Sequence, residues 1–337
     1  MEESKPRPQV TVLVPAFNEA ENIPVLIPEL CAMFDRHGLA GEIVLVDDGS
    51  TDGTWEIAEK FARSEKRLIL QRHRANFGKT EAMLTGNAVA AAEVVVLYDA
   101  DMQHSPEEIP RFLAKLREGG YDIVCGRKIG QYGKRFVSSI YNYLSRLLFK
   151  VPVRDLNSMK AYRREVLQGI QLRHDWHRFF VVLAFNRGYR VGEIEVELLP
   201  RRYGESKYTG AWRVVVGLLD LLSVKFLITF GRKPMTLFGS GGLLLLGLGF
   251  ITGCAALYYR YVQLQGYRPL LYLVILFTLG GVLLFTLGFL TELLGQLLQR
   301  LESIDKALRA LGTLPATPPG VAEPGPDRAS AETKTEK

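Results

Sequence analysis

Over the first 125 residues, short unbroken apolar runs alternate with stretches of helical periodicity. The runs are Val10–Val14, Ile43–Val46, Leu68–Leu70, Val94–Tyr98 and Asp122–Cys125, rich in Val, Ile and Leu. Between them, Ile23–Phe34, Trp55–Ala62, Lys79–Ala91 and Glu107–Arg117 repeat their apolar positions every three or four residues, which predicts helices. Strands that are apolar on both faces, alternating with helices, predict an α/β fold around a mostly parallel, doubly covered sheet. Such sheets bind ligands beyond the carboxyl ends of their strands. The polar residues that follow each run are therefore where chemistry is expected.

The pattern changes at the other end of the chain. Pro234–Tyr259 and Pro269–Thr291 are 26 and 23 residues without a charge. Each exceeds the about 20 residues that cross a bilayer as a helix. The short linker Arg260–Arg268 predicts a two-helix transmembrane hairpin with both chain ends on one side. Before it, Trp212, Val215, Val216, Leu219, Leu222 and Phe226 recur at helical spacing. They predict either a helix in the membrane interface or one packed on the N-terminal domain. After it, Leu293–Leu311 continues as an amphipathic helix, and Thr313–Lys337 has a disordered composition. The expected layout is a domain at 1–210, an interfacial helix at 211–233, two membrane helices within 234–294 (about 234–259 and 269–291), and a helix and tail at 295–337. Met1–Gln9 has no apolar run of signal-peptide type, so the N-terminal domain is expected to stay cytoplasmic at the plasma (inner) membrane.

Composition refines this picture little, but charge changes it. Three widely spaced cysteines, Cys31, Cys125 and Cys254, form neither a disulfide framework nor a zinc pattern. The net charge of +6 is uneven: Gly120–Pro234 holds 21 Lys and Arg against 9 Asp and Glu. That excess suits either a solvated face or a surface meeting anionic lipid or phosphate. No nucleic-acid-binding module accompanies it, so no nucleic-acid partner is expected.

Two strand ends carry candidate chemistry. The second run ends in VDDGSTDGT, residues 46–54, where Asp47 and Asp48 precede a Gly-rich turn into a helix. They suit either donor binding to a base or ribose, or turn formation and helix capping. The fourth run ends in Tyr98-Asp99-Ala100-Asp101-Met102-Gln103. Carboxylates two residues apart on an extended segment share a side, and a carboxylate pair with room for water and phosphate oxygens suits Mg²⁺ or Mn²⁺. The first strand leads into VPAFNE rather than a Gly-x-Gly-x-x-Gly turn, which argues against hydride-transfer dinucleotide binding.

VPAFNE, VDDGSTDGT, NFGK at Asn76–Lys79, DADMQHSPE at Asp99–Glu107 and RRYGESKY at Arg201–Tyr208, in this order, resemble the family 2 glycosyltransferases of GT-A fold. With the hairpin, the chain is similar to their polyprenyl-phosphate branch, which includes dolichol-phosphate mannose synthase and bacterial polyprenyl-phosphate transferases. The resemblance implies a Rossmann-like GT-A catalytic domain. It implies that Pro15, Phe17, Glu19, Asp47 and Asp48 line a nucleoside pocket, with Lys79 also on the donor. Asp99, Asp101 and Gln103 would hold the metal and diphosphate, with Arg202, Ser206 and Lys207 closing over it. Arg127, Lys134, Arg135 and Ser138 would meet an acceptor phosphate, and Asp155 would face the sugar or acceptor end. The chain departs from its relatives after that aspartate. Ser158 runs directly into Met159-Lys160, one residue shorter and without the usual glycine. His104 is expected to be structural rather than a base; His177 and Arg178 precede an apolar helix, Phe179–Phe185, on the substrate side.

The implied reaction moves a sugar from a nucleotide-diphosphate donor, UDP- or GDP-linked, to a polyprenyl phosphate at the cytoplasmic membrane face, with inversion. Membrane lipid is an expected partner, and homo-oligomer formation is left open. The rivals are a family 2 transferase with a soluble or glycan acceptor and a non-catalytic membrane adaptor of the same fold.

Overall fold

The computed structural model describes residues 7–129, 148–200, 212–230 and 233–310. The chain divides into two compact units whose boundary falls at Val215/Val216.

The first unit is a seven-stranded sheet: β1 (Val10–Ala16), β2 (Gly41–Asp47), β3 (Leu68–Arg72), β4 (Val94–Leu97), β5 (Ile123–Ile129), β6 (Lys160–Arg163) and β7 (Val191–Glu197), in the order β3-β2-β1-β4-β6-β5-β7. The helices are α1 (Ile23–Arg36), α2 (Thr54–Ser64), α3 (Lys79–Val89), α4 (Glu108–Glu118), α5 (Arg164–Gln168) and α6 (Phe180–Asn186), which follows a 3-10 turn at Trp176–Phe179. Every expected strand and helix of the first 125 residues is present, with ends moved by a few residues. Val10, Val12, Leu13 and Val14 are fully buried, as strands covered on both faces must be. Helix α1 buries Ile23, Leu26, Ile27, Leu30 and Phe34, one stripe at helical spacing.

Four strand pairings are parallel and two are antiparallel. The antiparallel pairs both involve β6, which wedges between β4 and β5. Leu97 and Cys125 flank Lys160 in register across the two ladders. Neither β6 nor β7 was anticipated. Strand β6 spans four residues with a charge at each end, and β7 places Glu193, Glu195 and Glu197 on alternate positions. Neither presents an unbroken apolar run. This inserted strand places Lys160 level with Leu97, one residue short of Tyr98 and two short of Asp99.

The second unit holds all but the first four residues of α7 (Trp212–Phe230), with α8 (Pro234–Tyr261) and α9 (Arg268–Ala310). The second apolar segment and the helix expected at 293–311 are one continuous α9. Segments Pro234–Tyr261 and Arg268–Leu297 are long and apolar enough to cross a membrane, and little of either is buried within the structure. A core helix of a soluble protein would be covered; here Phe250 and Leu283 are about 70% exposed. In α7, Leu219, Leu222 and Phe226 are exposed while Leu221 and Val224 are buried.

Helices α8 and α9 meet along a seam of small residues. A Cβ at Gly242 would lie 2.8 Å from the Gly281 carbonyl oxygen, and one at Gly249 2.9 Å from Thr278 Oγ1. Close backbone approach through glycine is a common means of holding helices together in lipid, where apolar burial supplies no net drive. At the Pro234 end, the Met235 amide donates to Glu292 Oε2 at 3.4 Å. Gly242→Leu is expected to lower the thermal midpoint of detergent-solubilised protein through overpacking, at a cost of about 1–3 kcal/mol. Gly247→Leu, where the added atom meets nothing within 4 Å, should leave the midpoint unchanged.

Candidate functional site

The loops at the carboxyl ends of β1 and β2 are stitched to each other. The Asn18 amide donates to Ser50 Oγ (2.9 Å), Thr51 N to Asn18 Oδ1 (2.9 Å), Glu19 N to Thr54 Oγ1 (2.8 Å) and Ala20 N to Asp52 Oδ2 (3.0 Å). Asn18 takes a positive φ of 54° to make this exchange. Asp52 also accepts from the Thr54 amide at 3.0 Å, at the start of α2. Burial opposes its ionisation, but the bonds from Thr54 and the Ala20 amide outweigh burial and hold its carboxyl below the usual range.

Asp47 and Asp48 are both buried, and both are engaged by protein. Ser50 N donates to Asp47 Oδ1 at 3.0 Å, and Arg72 Nε lies 3.3 Å from Oδ2. Asp48 accepts from the amides of Phe77 (3.0 Å) and Gly78 (2.7 Å), and its Oδ1 lies 2.7 Å from His73 Nδ1. His73 Nε2 in turn meets Thr85 Oγ1 at 2.9 Å. Asp48 thus organises the NFGK turn. Gly49, at φ 73°, fits only because it lacks a Cβ: one would sit 2.5 Å from the Ala75 carbonyl carbon. Pro15, Phe17 and Glu19 are half-buried beside this scaffold, and Glu19 Oε2 accepts from Asn22 Nδ2 at 2.6 Å.

The Asp-x-Asp turn follows β4. The Tyr98 hydroxyl donates to the His104 carbonyl, folding residues 99–104 back on the strand. Met102 is left-handed (φ 53°), and Gln103 N donates to Asp101 Oδ1 at 3.3 Å. The Gln103 carbonyl accepts the Leu199 amide at 2.9 Å, tying the end of β7 to this turn. Lys79, the first residue of α3, forms an ion pair with Asp99. Burial works against ionisation of Asp99, but Lys79 and then Lys160 outweigh it and hold the carboxyl well below the usual range. Lys160 is itself 3% exposed and donates to the Ser158 carbonyl at 3.0 Å. Burial pulls its pKa down.

Asp155 is also buried. It accepts from Asn157 N at 2.9 Å, and Lys128 Nζ lies 4.0 Å from its other oxygen. Ser158, in the shortened loop, approaches His104 Nε2 at 3.4 Å. Burial, then Lys128, lowers the His104 pKa and keeps its ring neutral, in keeping with a structural part. Arg127, on β5, pairs across the ladder with Glu195 at 3.2 Å. Lys134, Arg135, Ser138, Arg202, Ser206 and Lys207 lie outside the described residues.

The structure therefore brings Asp47, Asp48, Lys79, Asp99 and Asp101 to one edge of the sheet, and adds partners that the sequence did not single out. His73 follows a strand in a run of basic residues, with no spacing to mark it. Lys160 sits in a strand too short to announce itself. Thr80, whose hydroxyl oxygen meets His177, looks like an ordinary helix residue.

The fold and this edge define a GT-A domain, and the sequence comparisons agree. Residues 11–183 match the family described as Glycosyl transferase family 2, and the chain belongs to it. The dodecaprenyl-phosphate galacturonate synthase of Rhizobium johnstonii is 32% identical over 87% of this chain and 89% of its own length. The undecaprenyl-phosphate 4-deoxy-4-formamido-L-arabinose transferase of Salmonella paratyphi A is 30% identical over 71% of this chain and 74% of its own. Among solved structures, the glucosyl-3-phosphoglycerate synthase of Mycobacterium tuberculosis with Mg²⁺ and UDP superposes with a TM-score of 0.52 at 20% identity, over 64% of this chain and 80% of the other. That likeness establishes the fold.

Asp52→Ala should destabilise the protein by about 1 kcal/mol or less, since water replaces part of what an exposed acceptor supplies. Its folded pKa is depressed, so its contribution is complete above the unfolded carboxyl value of about 4 and fades as pH falls through the lower folded value. Thermal unfolding in detergent at pH 7 and below pH 4 checks this: the gap to wild type should shrink in acid.

Proposed function

We propose that this chain transfers a sugar from a nucleotide-diphosphate sugar to a polyprenyl phosphate, with inversion, at the cytoplasmic face of the plasma (inner) membrane. The observation that carries the reading is the conjunction, in one family 2 chain, of Asp99 and Asp101 at the sheet edge with two exposed apolar helices of membrane-spanning length. The relatives named above are polyprenyl-phosphate sugar transferases, which supports the acceptor class. They differ in the sugar they move, so the donor is left as a UDP- or GDP-sugar.

The donor set at the Asp-x-Asp turn suits Mg²⁺ or Mn²⁺. It offers hard carboxylate oxygens, and among the described residues no group of three or more His, Cys, Asp or Glu could hold an ion without other ligands. Such a site leaves coordination positions to water and substrate phosphate, the habit of Mg²⁺. Asp99 and Asp101, with Gln103, would hold the ion, which neutralises charge on the departing nucleoside diphosphate. Asp99 is kept ionised for that role by Lys79 and Lys160.

The other steps belong to the chain's own groups. Asp48 holds the NFGK turn, and with it Lys79, beside Asp99, where an ammonium can meet the diphosphate. Pro15, Phe17, Glu19 and Asp47 flank the nucleoside side. Arg202, Ser206 and Lys207 close over the diphosphate. Arg127 with Lys134, Arg135 and Ser138 receives the lipid phosphate. A phosphate monoester has a second pKa near ~6 and is mostly dianionic at neutral pH. Its oxygen attacks the anomeric carbon as the bond from that carbon to the diphosphate oxygen breaks, so positioning and desolvation matter more than a base. Asp155, which Lys128 approaches at 4.0 Å, is assigned to the sugar or acceptor end.

The deciding assay incubates the full chain in detergent with undecaprenyl phosphate and a panel that includes UDP-glucose, UDP-galacturonate and GDP-mannose, with Mg²⁺ or Mn²⁺. Glycolipid should form from one donor, stop in excess chelator, and fall at least a hundredfold in Asp101→Asn. Product on a soluble acceptor alone would overturn the reading. Topology is tested separately. In a background lacking Cys31, Cys125 and Cys254, a cysteine at Gln263 should label from outside intact cells, and one at Glu59 should not.

A further inference from the structure

The 3-10 turn Trp176–Phe179 lies against the start of α3. A Cβ at Gly78 would come within 3.1 Å of His174 Cε1, and the His177 amide donates to Thr80 Oγ1 at 3.1 Å. The same oxygen lies 3.2 Å from His177 Nδ1. Thr80 is fully buried and has one hydroxyl hydrogen to give. Its oxygen can accept twice, but among the described residues no acceptor other than Nδ1 lies within reach of the hydroxyl hydrogen, so the complementary arrangement has the hydroxyl donate to Nδ1. That leaves the ring hydrogen on Nε2, which has no hydrogen-bond partner among the described residues. Burial, then Lys79, Arg178 and Lys160, push the pKa of this ring well below its ordinary value, so it stays neutral, in keeping with one fixed tautomer.

The position is as informative as the tautomer. His177 is held on Thr80, the residue after Lys79, whose ammonium pairs with Asp99, and the charges of Lys79, Lys160 and Asp99 act on its ring. Lys160 belongs to β6, on the side of β4 away from β1 and β2. The loops assigned to the nucleoside follow β1 and β2. A donor laid across Asp99 with its base on those loops would therefore extend its sugar toward β6.

We propose that His177, fixed by Thr80, donates a hydrogen bond from Nε2 to an oxygen of the transferred sugar in the bound nucleotide sugar. This rests on the donor orientation of the proposed function but not on the acceptor. It makes His177 a specificity-determining residue and Thr80 its positioning residue.

The test is calorimetric binding of UDP, GDP, UDP-glucose, UDP-galacturonate and GDP-mannose, each with Mg²⁺, to the full chain in detergent. Gln can place an amide donor near the Nε2 position, whereas Asn reaches only the level of Nδ1. For the best-bound nucleotide sugar, His177→Asn and His177→Phe should weaken binding about five- to tenfold, the worth of one hydrogen bond. His177→Gln should recover most of it. Thr80→Val should weaken it similarly, and Thr80→Ser should not. Binding of the matching bare nucleoside diphosphate should stay within twofold throughout. Equal loss for nucleotide sugar and bare nucleotide, or no selective loss in His177→Asn, overturns the proposal. Failure of the wild type to glycosylate undecaprenyl phosphate would instead overturn the acceptor reading and leave the binding comparison standing.

Discussion

Carboxylates crowd the carboxyl edge of this sheet, and each must be neutralised by something the fold supplies. Asp47, Asp48 and Asp155 are buried, and Asp99 sits in a site where burial alone would favour its protonated form. A buried charge without a partner costs several kcal/mol, so the counter-groups are as necessary as the acids. Arg72 from β3 meets Asp47, His73 and two backbone amides meet Asp48, Lys79 from α3 pairs with Asp99, and Lys128 from β5 approaches Asp155. Each partner arrives on a different element. The sheet order is what allows one edge to hold so much negative charge without displacing its own core.

That pairing also suits the proposed function. Lys79 pairs with Asp99, so under that proposal cation and anion would both be redistributed to a diphosphate and its metal. Lys160, locked in β6 behind the turn, cannot leave in the same way. Its bond to the Ser158 carbonyl keeps it beside Asp99 whatever Lys79 does. The loops after β1 and β2 are built differently. Loops 17–22 and 48–54 are joined by four hydrogen bonds from backbone amides to side chains, which makes them a preorganised wall rather than a set of free side chains.

The second unit obeys other rules. Its helices expose large apolar residues over most of their length and touch through glycines, as helices do when the surrounding solvent is hydrocarbon. A polyprenyl phosphate is itself a lipid, and an enzyme that uses one gains from being held where that lipid diffuses. Lateral delivery replaces extraction of a long isoprenoid into water.

The α/β class, the first five strands and four helices, and the apolar hairpin were all legible from one-dimensional pattern. Parallel strands buried on both faces must be apolar throughout, and membrane helices must be apolar for about 20 residues, so each leaves a periodic or continuous signal. The motif acids were legible because strand ends are where such sheets place ligands. Strands β6 and β7 were not. Their residues alternate or are too few, and β6 owes its place to two neighbouring strands rather than to its own composition. The roles of the acids also needed the tertiary structure. Asp48 as organiser of the NFGK turn, Lys160 as a buried neighbour of Asp99, and Thr80 as the partner of His177 join positions 29 to 97 residues apart. Local propensity is blind at that range; only the folded backbone decides which side chains meet.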